Sequence, residues 1–114
     1  MKVIHKRSKT DICNNLKVAD TMSSRMLGLM FIKEMKGMDG LLLQGANSIH
    51  NCFVRFPIDV IFLNKDMKVV KVIHSFKPWR FTRIYFTARH VLELQAGTLN
   101  FEINPGDELE VQGV

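Results

Sequence analysis

Apolar positions in this chain come in short runs, and glycines, prolines and polar clusters punctuate them at a spacing that suits strands better than helices. The clearest run is Ile58-Asp59-Val60-Ile61-Phe62-Leu63, opened by Pro57, whose missing N–H is best tolerated at the first position of a strand. Asn64-Lys65-Asp66 reads as a turn, and Lys68-Val69-Val70-Lys71-Val72-Ile73 as the returning arm of a hairpin. Residues 2–5, 16–19, 40–43, 48–53, 90–94 and 109–111 are the other predicted strands. A polar, turn-like stretch over 8–15 separates the first two. A bend with Gly45 and Asn47 separates 40–43 from 48–53, and Asn104-Pro105-Gly106-Asp107 turns the chain before the last strand. Residues 98–103 read as one helical turn or more. Segment 22–35 has a different period: Met22, Met26, Leu29 and Met30 recur at helical spacing, while Ser23, Ser24 and Arg25 fill the other side. It is the one principal helix predicted, started by Asp20 or Thr21 and followed by Gly37 and Gly40, with its methionine stripe read as core. The expected fold class is mainly β: a compact sandwich or jelly-roll-like domain, or a partly closed barrel, of about eight short strands with one principal helix.

A length of 114 residues suffices for one core and is too short for two, so 1–114 is read as a single domain. Hydrophobic residues make up 46% and charged residues 24%, a balance that excludes a disordered or low-complexity chain. Unbroken apolar runs such as Val60 to Leu63 are only a few residues, whereas a spanning helix needs roughly 20, so no transmembrane segment is expected. The N-terminus begins basic but lacks the apolar stretch of a secretory signal, which leads to the expectation of a cytoplasmic protein. Cys13 and Cys52 are too few for a disulfide framework and are expected as free thiols. A net charge of +5 favours anionic partners without identifying one.

Asp59 is the most informative polar residue, because it sits inside an apolar strand and shares a face with Ile61 and Leu63. A buried carboxylate needs donors such as backbone amides, Arg55 or a histidine. The plain reading is a structural carboxylate that ties the 55–57 turn to its neighbours; the sharper one is a general acid or base. Glu93, within Val91-Leu92-Glu93-Leu94, repeats the situation, with a rim position as its plain reading. Convergence of the two acids within about 5–10 Å would suit glycosidic hydrolysis. His50 and Cys52 lie two apart on a predicted strand, but two ligands do not make a metal site, and nothing local recruits His74 or His90. Neither a metal nor a cofactor is expected, and Cys52 reads as a small buried side chain. The run from Lys77 through Trp79 to Phe86 interleaves cations with aromatics, the composition that holds phosphates while stacking rings. Its plain reading is a loop in which Trp79 and Phe81 pack on the core while Lys77, Arg80 and Arg83 reach water.

Taken in order, Arg25-Met26-Leu27-Gly28-Leu29-Met30-Phe31, Asp39-Gly40-Leu41-Leu42-Leu43, Ser48-Ile49-His50 and the Arg55 to Leu63 run resemble the domain-of-unknown-function family 192. So do Lys77-Pro78-Trp79-Arg80, Val91-Leu92-Glu93-Leu94-Gln95-Ala96-Gly97 and Pro105-Gly106-Asp107, and the resemblance runs from about Leu16 to about Val111. It implies a compact, mainly β domain, sandwich- or jelly-roll-like, with a helix near its N-terminal side, and no established activity or catalytic residue. Two departures stand out. Asn51-Cys52-Phe53-Val54 replaces the Thr, aromatic, Gly and Met usual in relatives, and Met67 follows Asp66 where a turn glycine is usual, so a different hairpin turn is expected.

The functional reading that needs fewest assumptions is a non-enzymatic binding module, in which a concave face bordered by His50, Arg55, Asp59 and the Trp79 loop takes a small polar or anionic ligand. A hydrolase using Asp59 with His50 or Glu93 is the first alternative. Nucleic-acid binding through loop 77–86 is the second. Sequence leaves the oligomeric state open.

Overall fold

The computed structural model describes residues 1–21, 35, 37–50 and 54–113. Among these residues eight strands are present: β1 (Lys2–His5), β2 (Thr10–Cys13), β3 (Leu16–Ala19), β4 (Gly40–Gln44), β5 (Ile58–Leu63), β6 (Val69–Phe76), β7 (His90–Gln95) and β8 (Leu109–Gln112). They form a three-stranded antiparallel sheet in the order β2-β1-β8 and a five-stranded sheet in the order β3-β4-β7-β5-β6. Of the neighbouring pairs described in the larger sheet, β3–β4 is parallel and the others are antiparallel. Backbone bonds join the sheets at a seam where Lys68 bridges Glu108, Val69 N donates to Asp107 O (2.7 Å) and Leu109 N to Met67 O (2.9 Å). The result is a two-sheet β domain and not a closed barrel.

Alternation of side chains along the central strands sorts the core into two layers. Ile61 and Leu63 of β5, Leu92 and Leu94 of β7 and Leu42 of β4 pack against Val3, Ile12, Cys13 and Leu109 of the smaller sheet. This is the inner face. Ile58, Val60, Phe62, Val91, Leu41 and Leu43 point the other way, toward Ile49, Val54, Phe56, Tyr85 and Ala88 from the connecting segments. With partners on both edges and cover on both faces, every residue of β5 is buried, which explains its nearly unbroken apolar sequence.

Several expectations need correction. Strand β2 lies inside the stretch read as a polar turn. Its signal was hidden because it is four residues long, pairs with β1 through a register shift, and buries the consecutive residues Ile12 and Cys13 instead of alternating. The described part of the 48–53 strand joins no ladder, and His50 makes only an isolated bridge to Phe81. Segment 98–103 is irregular, since Thr98 N bonds to Gln95 O and the amides of Gly97 and Leu99 are drawn to a side-chain carboxylate. The helix expected over 22–35 falls, except for Met35, outside the described residues, and no helix occurs among those described. Met67 fills the position where a glycine was usual by adopting φ 61° itself, in a turn bound by the Asn64 side chain, which accepts from the amides of Asp66 (2.9 Å) and Lys68 (3.0 Å).

Candidate functional site

Asp59 lies on the inner face and is 1% exposed. Oδ1 accepts from the amide of Ser75 (2.9 Å), and Oδ2 from those of Gly97 and Leu99 (both 3.1 Å). Ser75 sits at φ 52° and Gly97 at φ 91°, both in the left-handed region that breaks regular pairing and leaves amides in need of an acceptor. The carboxylate meets that need at the end of β6 and in the turn after β7, elements that its own strand separates. Its partners are backbone amides from these two places and not the 55–57 turn.

Glu93 is a different kind of acid. Its cross-strand neighbours are Leu41 on β4 and Val60 on β5, so it projects from the outer face, into an apolar layer. It is 4% exposed, not a rim residue, because β7 occupies the middle of the sheet. No hydrogen bond or ion pair meets its carboxyl among the described residues, and burial pushes its pKa from 4.5 up to about 8. At neutral pH it is therefore a protonated acid, able to donate as well as accept. Native structures rarely leave a buried polar group unsatisfied, and where one persists it wants an explanation.

The register of β5 against β7 pairs Asp59 with Leu94 and Val60 with Glu93. The two acids therefore stand on opposite faces of one sheet. They do not converge on a shared substrate, and Asp59 has already committed both oxygens. The pair imagined for glycosidic hydrolysis is absent.

His50, Arg55 and Trp79 belong to connecting segments, not to a strand face. His50 is half-buried, with its ring 6.3 Å from that of Phe81. Arg55 is exposed between the buried Val54 and the half-buried Phe56, both of which pack on the outer layer. Trp79 is 60% exposed at φ 64°, so neither it nor Phe81 packs into the core as its plain reading had it. His50 and Arg55 share a side of the molecule with Glu93, through Ile49, Val54 and Phe56; Asp59 does not. Cys52 lies outside the described residues. Cys13 is a buried free thiol whose pKa burial, and then the charge of Asp39, pushes up to about 11.

Two features were not anticipated from sequence. His5 is buried, its Nε2 is 2.8 Å from an Asp107 carboxylate oxygen, and its Nδ1 is 2.6 Å from Ser8 Oγ. The composition is that of a nucleophile relay, but Ser8 Oγ also lies 2.7 Å from Thr10 Oγ1, and the Asn104 amide donates to the same Asp107 oxygen that His5 meets (3.0 Å), so the cluster reads as a clasp between β1 and the 104–107 turn. The Asn104 amide and then His5 hold the Asp107 carboxyl below the usual range. The second feature is a cleft of about 430 Å³ where the two sheets part, floored by Val18, Leu42 and Leu109 and edged by Gln44, His90 and the Lys6–Glu108 ion pair (2.6 Å). Burial lowers the pKa of His90. Among the described residues no cluster of three or more His, Cys, Asp or Glu side chains is placed to hold a metal ion, and no helix is long and apolar enough to cross a membrane.

Comparison with known proteins bears out the resemblance and carries its start back to residue 3. The family model described as "Uncharacterized ACR", domain-of-unknown-function family 192, matches residues 3–111. A UPF0127 protein of Pyrococcus furiosus is 35% identical over 99 residues, covering 83% of this chain and 84% of its own. Another from Pyrococcus horikoshii is 36% identical over 100 residues, with 83% and 85% covered. Among solved structures, a protein of unknown function from Novosphingobium aromaticivorans superposes with TM-score 0.79 at 22% identity, over 96% of this chain and 82% of that one, and so shares the fold. A Sinorhizobium meliloti protein, described as a proposed transcription regulator, superposes with TM-score 0.77 at 25% identity, over 96% and 89%.

Proposed function

The chain belongs to domain-of-unknown-function family 192, and we propose, from its own side chains, that it is a non-enzymatic binding module for a small polar or anionic ligand on the outer face of the larger sheet. The observation that carries this reading is the Glu93 carboxyl, almost fully buried and without a partner among the described residues. An acid kept neutral by an apolar site is a known means of presenting a hydrogen-bond donor at neutral pH. Its retained proton also decides the ligand class: a carboxylate would repel an anion, whereas a carboxylic acid can donate to one. Arg55 and His50, on segments that pack over the same face, add a charge or donor of matching sign. Asp59, placed on the inner face, has no part in this site.

The test is a two-dimensional NMR titration with inorganic phosphate, monosaccharides and short carboxylic acids. At least one probe is expected to move the amides of Leu41, Val60 and Glu93 together, to lose that effect in Glu93→Leu, and to keep part of it in Glu93→Gln. The reading is wrong if none of the probes moves these amides, or if a probe binds Glu93→Leu as tightly as the parent.

A further inference from the structure

Strands β6 and β7 both run antiparallel to β5 and flank it on either side, so they are parallel to one another. Residues 77–89 must then return along the length of the sheet, from the Ile58 end of β5, where Phe76 pairs, to the Leu63 end, where His90 pairs. This strap crosses the outer face. It is fixed there: Thr82 N donates to Ile49 O (2.9 Å), Ile49 N to Thr82 Oγ1 (2.9 Å) and Tyr85 N to Asn47 O (2.9 Å), while the Tyr85 ring lies 4.5 Å from that of Phe62.

Anchored from below, the strap turns its other side chains outward. Trp79 is 60% exposed, Phe81 75%, Ile84 53% and Phe86 81%, and apart from Met1 these are the exposed large hydrophobics of the described chain. Their concentration in eight consecutive positions, on a backbone that is well bonded, marks an interaction surface and not a loop that failed to pack. Charge narrows the partner. From Lys77 to Arg89 the strap contains no Asp or Glu, but it has Lys77, Arg80, Arg83 and Arg89.

We infer that the strap docks the domain on an anionic lipid surface, with its aromatic and aliphatic side chains entering the headgroup boundary and its cations pairing with lipid phosphates. Rings at the interface and cations just above it are the pattern by which proteins lie on membranes without crossing them. A second copy of the chain suits the surface poorly, because self-pairing would bring these cations together. A single-stranded nucleic acid would meet the charge and stack on Phe81 or Trp79, but it would leave Ile84, which has no ring face, in water.

The experiment is co-sedimentation of the full chain with vesicles of phosphatidylcholine alone and of phosphatidylcholine mixed with phosphatidylglycerol, alongside a labelled single-stranded oligonucleotide. The pair Phe81→Ser with Phe86→Ser alters exposed side chains, and an unchanged melting temperature checks that the fold is intact. Binding to the mixed vesicles is expected, weakened by salt, reduced about tenfold or more by the double serine variant, and reduced severalfold by Arg80→Gln with Arg83→Gln. Failure to bind mixed vesicles overturns the inference. So does vesicle binding that the folded double serine variant retains, or oligonucleotide binding without vesicle binding.

Discussion

Replacing Glu93 with glutamine probes a destabilising feature of the fold. In the unfolded chain its carboxyl titrates near 4.5, while burial holds it protonated in the native state up to about pH 8. Below pH 4.5 both states carry the proton, and the site costs nothing through ionisation. Between that value and about pH 8 the unfolded state gives up the proton and the folded state keeps it, so each pH unit removes about 1.4 kcal/mol of stability. Across the window the loss reaches several kcal/mol, on the order of 5, against the roughly 5–15 kcal/mol that holds a typical domain together. Above pH 8 both states are ionised and the loss levels off. Glutamine keeps the size and polarity of the side chain and cannot titrate. Urea unfolding of parent and Glu93→Gln, measured from about pH 5 to about pH 8, should show the parent losing ground steadily, with the variant more stable by several kcal/mol at the upper end. Other groups titrate alike in both proteins and cancel. A difference that stays level across the range would mean that Glu93 is ionised and partnered in the native state, and the argument for a ligand there would go with it.

Asp59→Ala orphans the amides of Ser75, Gly97 and Leu99 together. It should cost on the order of 3 kcal/mol or more in urea unfolding and hasten hydrogen exchange at those amides; unaltered exchange would contradict the stapling role. Gly40→Ala places a Cβ 2.7 Å from Cys13 Sγ and 3.2 Å from Leu94 Cδ2, so a loss of about 1–3 kcal/mol is expected, read as a lower melting temperature. With its thiol pKa near 11, Cys13 should resist iodoacetamide at pH 8 in the native protein and react only after unfolding, as followed by mass spectrometry of its peptide. Native labelling at that residue would show the thiol to be more open than its burial implies.

The legible parts of the fold are those whose signal is local. The β5–β6 hairpin has a proline, a fully buried run and a turn in succession, and the bounds of β5 follow, whereas β6 runs on to Phe76, three residues past its expected end. Asp59 was legible as a buried acid for the same reason, but its partners lie 16 to 40 positions away, and period-two alternation carries no information about them. The burial of Glu93 depends on β7 lying between β4 and β5, a matter of sheet order that alternation within one strand does not report. β2 escaped for the opposite reason, since a bulged four-residue strand breaks the alternation by which strands are recognised. The outward aromatics of the strap were visible as a composition and were read as core anchors. Their exposure follows from the parallel relation of β6 and β7, which sends the connection across the outer face, where its Tyr85 and Ala88 take the inward positions.

That geometry couples the two proposals. The strap rests through Tyr85 on Phe62, and Phe62 and Glu93 flank Val91 and Val60 within one apolar layer. A surface that holds the strap also restricts the segments a ligand must pass to reach the acid, and any such effect must be mutual: if vesicles change ligand affinity by some factor, ligand changes vesicle affinity by the same factor. For a probe that binds at Glu93, affinity measured with and without mixed vesicles should therefore differ, and Phe81→Ser with Phe86→Ser should abolish the difference while leaving affinity in free solution unchanged. Equal affinities in both conditions would mean that strap and acid act independently despite sharing one layer, and that the outer face carries two separate sites.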